Sequence, residues 1–458
     1  MADKQTFCMG EEFSELDFNS TRLEKRFIKT METLAGQPEK SIWFCSENRA
    51  EAKAIYRLIN NDRLDREEIL QTHREATVRR MLNSGETILA VQDTTSLNYN
   101  THEKMEGIGY ISDKTLGVNI HSCLAVTTKG LTLGLLDQVS YNREQANSNS
   151  QTHDSKKVRP LEDKESYRWV KTYETSTFNL PEGVKVINVC DREGDMYELL
   201  DTIETSGGLF LIRVAQNRMT VDNRQILDAV RKKRCIGKME ITIPRDSRNN
   251  VKERKGTLQI RYDRYDIKRP SILNKIKTLK ASIELWVIHA KEESPPKGVE
   301  PIEWFLMTNE PVEDVQAAYE RIQYYTHRWK IERFHFVLKS GCKVEKLQER
   351  SMDKTTLLVL MYSIIAVLIL NMTYIARILP NVSCTVLFEE DEWKVLYCAA
   401  NKTKKAPENP YCIEEAVKYL GWLGGPKRSP SDGPPGVKTI WVGLDKLNTL
   451  LTYKEWLV

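Results

Sequence analysis

The chain has 458 residues, of which 40% are hydrophobic and 29% are charged. These fractions are typical of a soluble globular protein and exclude a disordered chain, and the length suffices for about three domains. The net charge is only +4, from 68 Lys and Arg against 64 Asp and Glu. Local basic patches could therefore bind nucleic acid, although the total charge does not require it.

Nine cysteines are scattered along the chain without a Cys-x-x-Cys pair. This favours reduced thiols in the cytoplasm over a zinc ribbon or a disulfide framework. The N-terminus has no basic region followed by an apolar run, so we expect no signal peptide. An apolar run over residues 357–370 is shorter than the roughly 20 residues that a membrane span needs. It favours a buried core helix, and a membrane helix is the weaker alternative.

The N-terminal part has the spacing of helices. Apolar residues recur at helical intervals over residues 13–35 and again over 46–62, where Ser46 is the expected N-cap. We predict a helical domain over about residues 1–75. Four cations, Arg22, Lys25, Arg26 and Lys29, are spaced along the first of these helices.

Two short apolar strands are predicted to end in aspartate. Residues 87–93 end at Asp93, and residues 183–191 end at Asp191. Open α/β sheets bind ligands at the carboxyl ends of their strands, so the two side chains could meet there. The alternative, that each aspartate only caps the element that follows, stays open on these residues alone.

Other segments indicate further architecture. Lys129-Gly130 between two apolar runs predicts a hairpin, and residues 142–160 predict a polar loop. Residues 216–310 alternate apolar and polar side chains, which is typical of half-buried antiparallel strands, and the run from residue 231 to residue 280 is rich in Lys and Arg. Helical pattern returns near residue 312 and continues into a helical C-terminal region over 381–458.

A third chemical motif lies in YYTHRWKIERFHFVLKSG, residues 324–341. On a regular helix Tyr325, Arg328, Glu332 and Lys339 share one face. A carboxylate between two cations suits a metal ion together with phosphate groups. A solvated charged stripe with an Arg–Glu pair is the alternative.

Three motifs together resemble a known family. Asp-Thr-Thr-Ser at 93–96, Asp-Arg-Glu-Gly-Asp at 191–195 and Tyr-x2-Arg-x3-Glu-x6-Lys at 325–339 are similar to the signatures of DDE transposases of the insertion-sequence-four family. The similarity covers nearly the whole chain. It implies an α/β, ribonuclease-H-like catalytic core over 76–380 with an antiparallel β insertion at about 216–310, and helical domains for DNA binding (1–75) and dimerisation (381–458).

The resemblance also implies an activity. A cut-and-paste transposase nicks the transposon ends, forms and resolves a DNA hairpin, and transfers the 3′-OH ends to target DNA. The catalytic and metal-binding residues are then Asp93, Asp191 and Glu332, which hold two Mg²⁺ ions when DNA is bound, with Mn²⁺ able to substitute. The partners are double-stranded DNA and a second copy of the chain, without a membrane or a small-molecule substrate, in the bacterial cytoplasm at the nucleoid.

Further residues are carried over as DNA contacts. Trp304 is expected to stack on a flipped end base, and the N-terminal helix is expected to read the end sequence. The expected DNA-binding residues are Tyr325, Arg328, Lys339, Trp304, Arg213, Arg22 and Arg26. A core role for Trp304 and purely surface roles for Arg213 and the helix cations remain as alternatives.

Three places depart from a close relative in the family. Asn100 stands where the relative has arginine, Phe336 where it has lysine, and Val118-Asn119 where it has two tryptophans. These differences put the grip on the hairpin in question, but not the carboxylates. A transposase-derived DNA-binding regulator without catalysis and a nuclease that never joins strands are the rival functions.

Overall fold

The computed structural model describes residues 9–143, 160–243, 253–426 and 433–453. One mixed sheet lies at its centre, in the strand order β2–β3–β1–β5–β6–β10–β9–β8–β7, with β4 also paired to β3. The strands are β1 (Ile88–Asn98), β2 (Gly109–Ser112), β3 (Thr115–Thr127), β4 (Thr132–Tyr141), β5 (Val186–Cys190), β6 (Leu209–Arg213), β7 (Gly237–Ile243), β8 (Arg254–Lys268), β9 (Ser282–Glu292) and β10 (Glu303–Thr308).

Helices surround the sheet and form both ends of the described chain. They are α1 (Met9–Glu12), α2 (Thr21–Gly36), α3 (Ile42–Cys45), α4 (Arg49–Ile59), α5 (Arg66–Ser84), α6 (Tyr167–Thr177), α7 (Tyr197–Thr205), α8 (Ile226–Arg231), α9 (Val315–Thr326), α10 (Trp329–Phe336), α11 (Met352–Ile378), α12 (Glu390–Asn401), α13 (Ile413–Gly424) and α14 (Val437–Thr452).

The core of the sheet has the arrangement expected of a ribonuclease-H-like domain. The strands β1, β3 and β4 are antiparallel, and β5 and then β6 continue on the other side of β1, parallel to it. The predicted hairpin is confirmed: β3 turns into β4 at Gly130, whose φ of +88° favours glycine. Because α5, α6 and α11 pack against this hairpin, β3 is buried from residue 117 to 127. Most of the polar loop predicted over 142–160 lies outside the described residues.

The β-rich insertion predicted over 216–310 is confirmed, with one addition. The strands β7 to β10 are consecutive antiparallel neighbours, and β10 also pairs with β6. The insertion therefore extends the central sheet instead of forming a separate layer. This continuity places β10, with Trp304, directly beside the core strand that carries Arg213.

The apolar run at residues 357–370 lies in α11. By length and composition this helix could cross a membrane, but 94% of its most apolar window is buried inside the protein. Gln138 on β4 donates to the hydroxyl of Ser363, and Asn371 donates to the carbonyl of Thr132. The prediction of a core helix is confirmed.

The single helix predicted over residues 13–35 is wrong in its first part. Residues 13–20 are not helical, and α2 begins at Thr21. Asn19 has a left-handed φ of +55°, and the Glu24 carboxylate accepts the backbone N–H groups of Phe18 and Ser20, which fixes the turn into α2. The helical spacing of the apolar residues reflects a buried non-helical segment, since Phe13 and Phe18 both pack on Phe27.

A buried charge cluster attaches the N-terminal segment to the sheet. Glu12 on α1 contacts His73 at 2.5 Å and Arg80 at 2.7 Å, both on α5. Arg80 Nε in turn donates to the carbonyl of Leu133, and His73 accepts the N–H of Leu135. The predicted domain boundary at residue 75 thus falls inside α5, which serves both parts, and the domain division stays a prediction.

The Glu12 cluster predicts a dependence of stability on pH. Burial opposes the charge of Glu12, but Arg80 and His73 outweigh it and lower the pKa of this carboxyl from 4.5 to about 2. The ionised form therefore stabilises the fold above about pH 4.5, and this contribution is lost as the pH falls toward 2. We expect Glu12→Gln to lower the free energy of unfolding by about 3 kcal/mol at pH 7 in urea denaturation.

The difference between wild type and Glu12→Gln should shrink as the pH falls from about 4.5 to about 2. Glu15→Gln is the matched control, because Glu15 pairs with Arg79 at the exposed surface, where an ion pair contributes little. Equal effects of the two substitutions, or a difference that does not change with pH, would contradict the role of the cluster.

Candidate active site

Asp93 lies within β1 and not at its end. The sequence predicted that the strand stops at Asp93, but β1 continues to Asn98 because it stays paired with β3 as far as Gly117. The parallel pairing with β5 is shorter and reaches only Val91. The sheet therefore opens on the β5 side at the level of Asp93, whose side chain is 17% exposed.

Asp191 follows β5 directly, as predicted. Continuing the β1–β5 register by two residues puts Asp191, just past the end of β5, level with Asp93 on β1. The Asp191 Oδ1 accepts the N–H of Glu193 at 2.8 Å and caps a short 3-10 turn. Gly194 allows this tight turn, because a Cβ there would lie 2.5 Å from the Cβ of Cys190.

Glu332 lies on α10, which is not continuous with α9. The two helices are separated at His327 and Arg328, and a π-helical turn over Val337–Gly341 follows α10. The prediction of one regular helix over the whole motif is therefore wrong in detail. The break nevertheless leaves Arg328 next to Glu332, with 2.5 Å between Nη2 and Oε1.

The three carboxylates interact electrostatically. The pKa of Asp93 is raised to about 7, first by burial and then by the negative charge of Asp191, with a smaller contribution from Glu332. Arg328 opposes this shift, and its Nη1 lies 3.8 Å from Asp93 Oδ2. The alternatives of a mere helix cap and a mere charged stripe therefore do not describe these residues fully, since Asp191 and Glu332 both lie close enough to act on Asp93.

This arrangement fits a divalent cation. The carboxylates of Asp191 and Glu332 and the buried guanidinium of Arg328 all act on Asp93, and carboxylate oxygens are donors that Mg²⁺ prefers. Within the described parts of the chain, no group of three or more His, Cys, Asp or Glu is already arranged to hold a metal ion. Arg328 supplies the positive charge that lies beside Asp93 and Glu332.

An aromatic and cationic wall borders the carboxylates. Tyr325 is buried, and its ring lies 5.4 Å from Trp304 and 5.8 Å from the Arg328 guanidinium. Burial raises the pKa of the Tyr325 hydroxyl, and the charges of Arg328 and Arg213 oppose that shift. The structure thus brings Tyr325, Arg328, Arg213 and Trp304 together. Trp304 is 4% exposed, and its ring also lies 5.8 Å from the ring of Trp329.

Lys339 lies in the π-helical turn. Its charge and that of Arg328 both act on buried His335, whose pKa falls to about 3 through burial first and these two cations next. The turn packs against the C-terminal helices: Phe336 lies 5.8 Å from Trp441, and a Cβ on Gly341 would meet the Trp441 ring at 2.9 Å. Phe336 therefore has a packing partner in place of the charge of the relative's lysine.

The other two departures also have structural roles. Asn100 accepts the N–H of Leu116 at 2.6 Å and holds the start of β3. Val118 and Asn119 are buried within β3, where the Asn119 amide oxygen accepts the hydroxyl of Ser96.

Arg22 and Arg26 lie apart from the carboxylates, in an open groove of about 900 Å³ between α2 and α4. The groove contains no acidic side chain, and within the described residues none of its cations forms an ion pair at 4 Å or less. Its cations are Arg22, Lys25, Arg26, Lys29, Arg57 and Arg63. Sequence reasoning missed the last two, because they come from α4 and the loop after it.

Sequence reasoning also left the second aspartate of Asp-Arg-Glu-Gly-Asp without a role. Asp195 is 3% exposed, accepts the N–H groups of Ala215 and Gln216, and pairs with Arg218 at 2.5 Å. It fixes the chain after β6 to the loop after β5. One motif thus contains one aspartate that faces the site and one that holds the fold.

Comparison with known proteins identifies the class. Three family models match: the transposase DNA-binding model over residues 8–64, the transposase DDE domain over 184–369 and the transposase Tn5 dimerisation domain over 364–455. The chain is a DNA transposase of the DDE class, with a ribonuclease-H-like core. The matches to the DNA-binding and Tn5 dimerisation models narrow the family, and the chain belongs to the Tn5-like DDE transposases.

The matches confirm the family resemblance, the fold class, and DNA and a second copy of the chain as partners. DDE domains use divalent metal ions. Asp191 and Glu332 lie within the DDE match, whereas Asp93 precedes it and is placed by the sheet. A solved piggyBac transposase synaptic complex with hairpin DNA is also similar, at 12% identity and a TM-score of 0.36, over 94% of this chain and 72% of that chain.

The two aspartates of the second motif provide a matched test. We expect Asp195→Asn to lower the free energy of unfolding by about 3 kcal/mol, because it leaves Arg218 buried without its charge partner. Asp191→Asn should leave stability in metal-free buffer unchanged or higher, since it removes repulsion with Asp93. Urea denaturation of both variants measures this, and a larger loss for Asp191→Asn would contradict the assignment.

Proposed function

We propose that this transposase works by cut and paste, with Asp93, Asp191 and Glu332 as its catalytic residues. The observation that carries this proposal is that Asp191 and Glu332 both act on Asp93 at the opening between β1 and β5, where burial first and the charge of Asp191 next raise the pKa of Asp93 to about 7. Carboxylates with shifted pKa values cluster at catalytic sites, so the raised pKa of Asp93 supports a catalytic role. The protein nicks transposon ends, forms and resolves a hairpin, and joins the 3′-OH ends to target DNA.

The three carboxylates would hold Mg²⁺, or Mn²⁺ in its place, with two ions present when DNA is bound. Bound there, the ions would activate the attacking oxygen and stabilise the leaving oxygen. Arg328 contacts two carboxylates, and the side chain of Glu332 is the more exposed of the two, at 51% against 17% for Asp93. We therefore expect Glu332 to turn toward the aspartates when the site is loaded.

Arg328 would then exchange a carboxylate for a DNA phosphate. Its guanidinium is 11% exposed and is held by the ring of Tyr325, so it can contact phosphate without leaving the site. Tyr325, Arg213 and Lys339 supply further contacts around the same DNA end. Their closeness to Arg328 supports this set.

Trp304 is proposed to stack on the base that leaves the duplex during hairpin formation. Its ring lies beside Tyr325, at the edge of the carboxylate site. Because the ring is 4% exposed here, the neighbouring wall has to open before a base can reach it.

The groove between α2 and α4 is proposed to bind the inner part of the transposon end. Six cations line it without an acidic side chain, which suits a phosphate backbone. Two copies would bring two ends together through the C-terminal helices. The protein would act in the bacterial cytoplasm, at the nucleoid.

A cleavage assay tests the catalytic proposal. With a labelled duplex that carries the inverted repeats flanking the gene, we expect Mg²⁺-dependent cutting and a hairpin product, absent with EDTA and with Glu332→Gln. The matched control is Glu320→Gln, since Glu320 lies on α9 and pairs with its neighbour Arg321. End binding by wild type without cutting in Mg²⁺ or Mn²⁺ would instead identify a regulator.

The groove has its own test. Arg57→Ala and Arg63→Ala should each weaken binding to the end sequence and reduce the slope of log affinity against log salt by about 0.9 per lost phosphate contact. Gel-shift titrations at several salt concentrations measure the slope. The control is Arg264→Ala, because Arg264 is an exposed arginine of the insertion that pairs with Glu284. A slope unchanged in both groove variants would contradict the phosphate role.

A further inference from the structure

Arg168 on α6 contacts a residue close to each of the two aspartates. Its Nε donates to the hydroxyl of Thr94 at 3.2 Å, and its Nη2 lies 2.9 Å from the carboxylate of Glu193. Thr94 is the residue after Asp93, and Glu193 lies two residues after Asp191. One guanidinium thus spans the opening between β1 and the loop after β5.

The contacts continue to the catalytic carboxylates themselves. The N–H of Thr94 donates to Asp93 Oδ1 at 2.7 Å, and the N–H of Glu193 donates to Asp191 Oδ1 at 2.8 Å. We name these four hydrogen bonds, centred on Arg168, the aspartate bracket. Each aspartate is held through one oxygen, and on Asp93 the other oxygen is the one that faces Arg328.

Arg168 is itself held firmly. Its Nη1 donates to the carbonyl of Glu165, and its guanidinium lies 5.4 Å from the ring of Tyr141. Its side chain is 12% exposed. On the far side, the Thr94 hydroxyl also contacts the buried ring of His121 at 2.8 Å. Because these contacts fix the Arg168 guanidinium, its position can determine the positions of the residues that it binds, which a free surface charge could not do.

We propose that Arg168 is a positioning residue that sets the separation and orientation of Asp93 and Asp191. The two carboxylates repel each other, and the parallel pairing that would fix β1 against β5 ends at Val91. The bracket replaces that missing pairing at the level where the carboxylates need it. This inference rests on the proposed function of the two aspartates as metal ligands.

Binding of Mn²⁺ to the free protein, followed by electron paramagnetic resonance, tests the bracket without DNA cleavage. We expect Arg168→Met to weaken Mn²⁺ binding by roughly tenfold or more, as is usual when a group that orients metal ligands is lost. Arg168→Lys, which keeps the charge, should recover part of the loss. Arg143→Met is the matched control, because Arg143 binds the same Glu165 but neither Thr94 nor Glu193.

A second variant covers the case in which Arg168→Met does not fold. Glu193 is 62% exposed, so Glu193→Gln should fold and still keep the N–H bond to Asp191. It is expected to weaken Mn²⁺ binding and to lower kcat for end cleavage, with affinity for end DNA unchanged. The double variant should be no worse than Arg168→Met alone, because both act through one contact.

The outcomes are distinct. If Arg168→Met binds Mn²⁺ and cuts DNA as wild type does, the aspartate bracket is overturned and the proposed function stands. If Arg168→Met does not fold, the same result for Glu193→Gln leads to the same conclusion. If the wild-type protein binds Mn²⁺ no more tightly than the Asp93→Asn variant does and cuts no DNA, both the proposed function and the aspartate bracket are overturned. Losses equal to those of Arg143→Met also overturn the bracket.

Discussion

The close approach of two carboxylates of like charge is the constraint that the candidate site has to accommodate. Asp191, just past the end of β5, is level with Asp93 on β1, and burial together with the repulsion between them raises the pKa of Asp93 to about 7. Backbone pairing resists the separation: β1 is bonded to β3 far beyond Asp93, although its bonds to β5 end two residues earlier. Arg328 offsets part of the charge. The folded site is thus ready to gain from a divalent cation and a phosphate backbone.

The continuous sheet decides what surrounds the carboxylates. Since β10 pairs with β6, the insertion places Trp304 beside the strand of Arg213 and against Tyr325. A separate insertion domain could move relative to the core, whereas a shared ladder of hydrogen bonds cannot slide without breaking its register. The aromatic wall is therefore positioned by the same sheet that positions the aspartates.

The terminal domains are joined to this sheet by specific contacts. Glu12 joins the N-terminal segment to α5 and to β4 through His73 and Arg80. At the other end, Trp441 packs on the π-helical turn that carries Lys339, only a few residues after Glu332. DNA binding, catalysis and dimerisation thus share direct side-chain contacts, and a change in one domain has a short physical path to the carboxylates.

The sequence by itself determined what depends on local pattern: the hairpin at Gly130, the alternating strands of the insertion, the buried apolar helix and the three motifs with Asp93, Asp191 and Glu332. It could not determine where β1 ends or where the helix of Glu332 breaks, because both depend on distant partners. Nor could it show that Asp195 holds the fold, because that role depends on the groups that Asp195 meets in the folded chain. Contacts such as those of Arg168 are decided by tertiary structure alone, since hydrogen bonds between residues far apart in sequence leave no periodic signal.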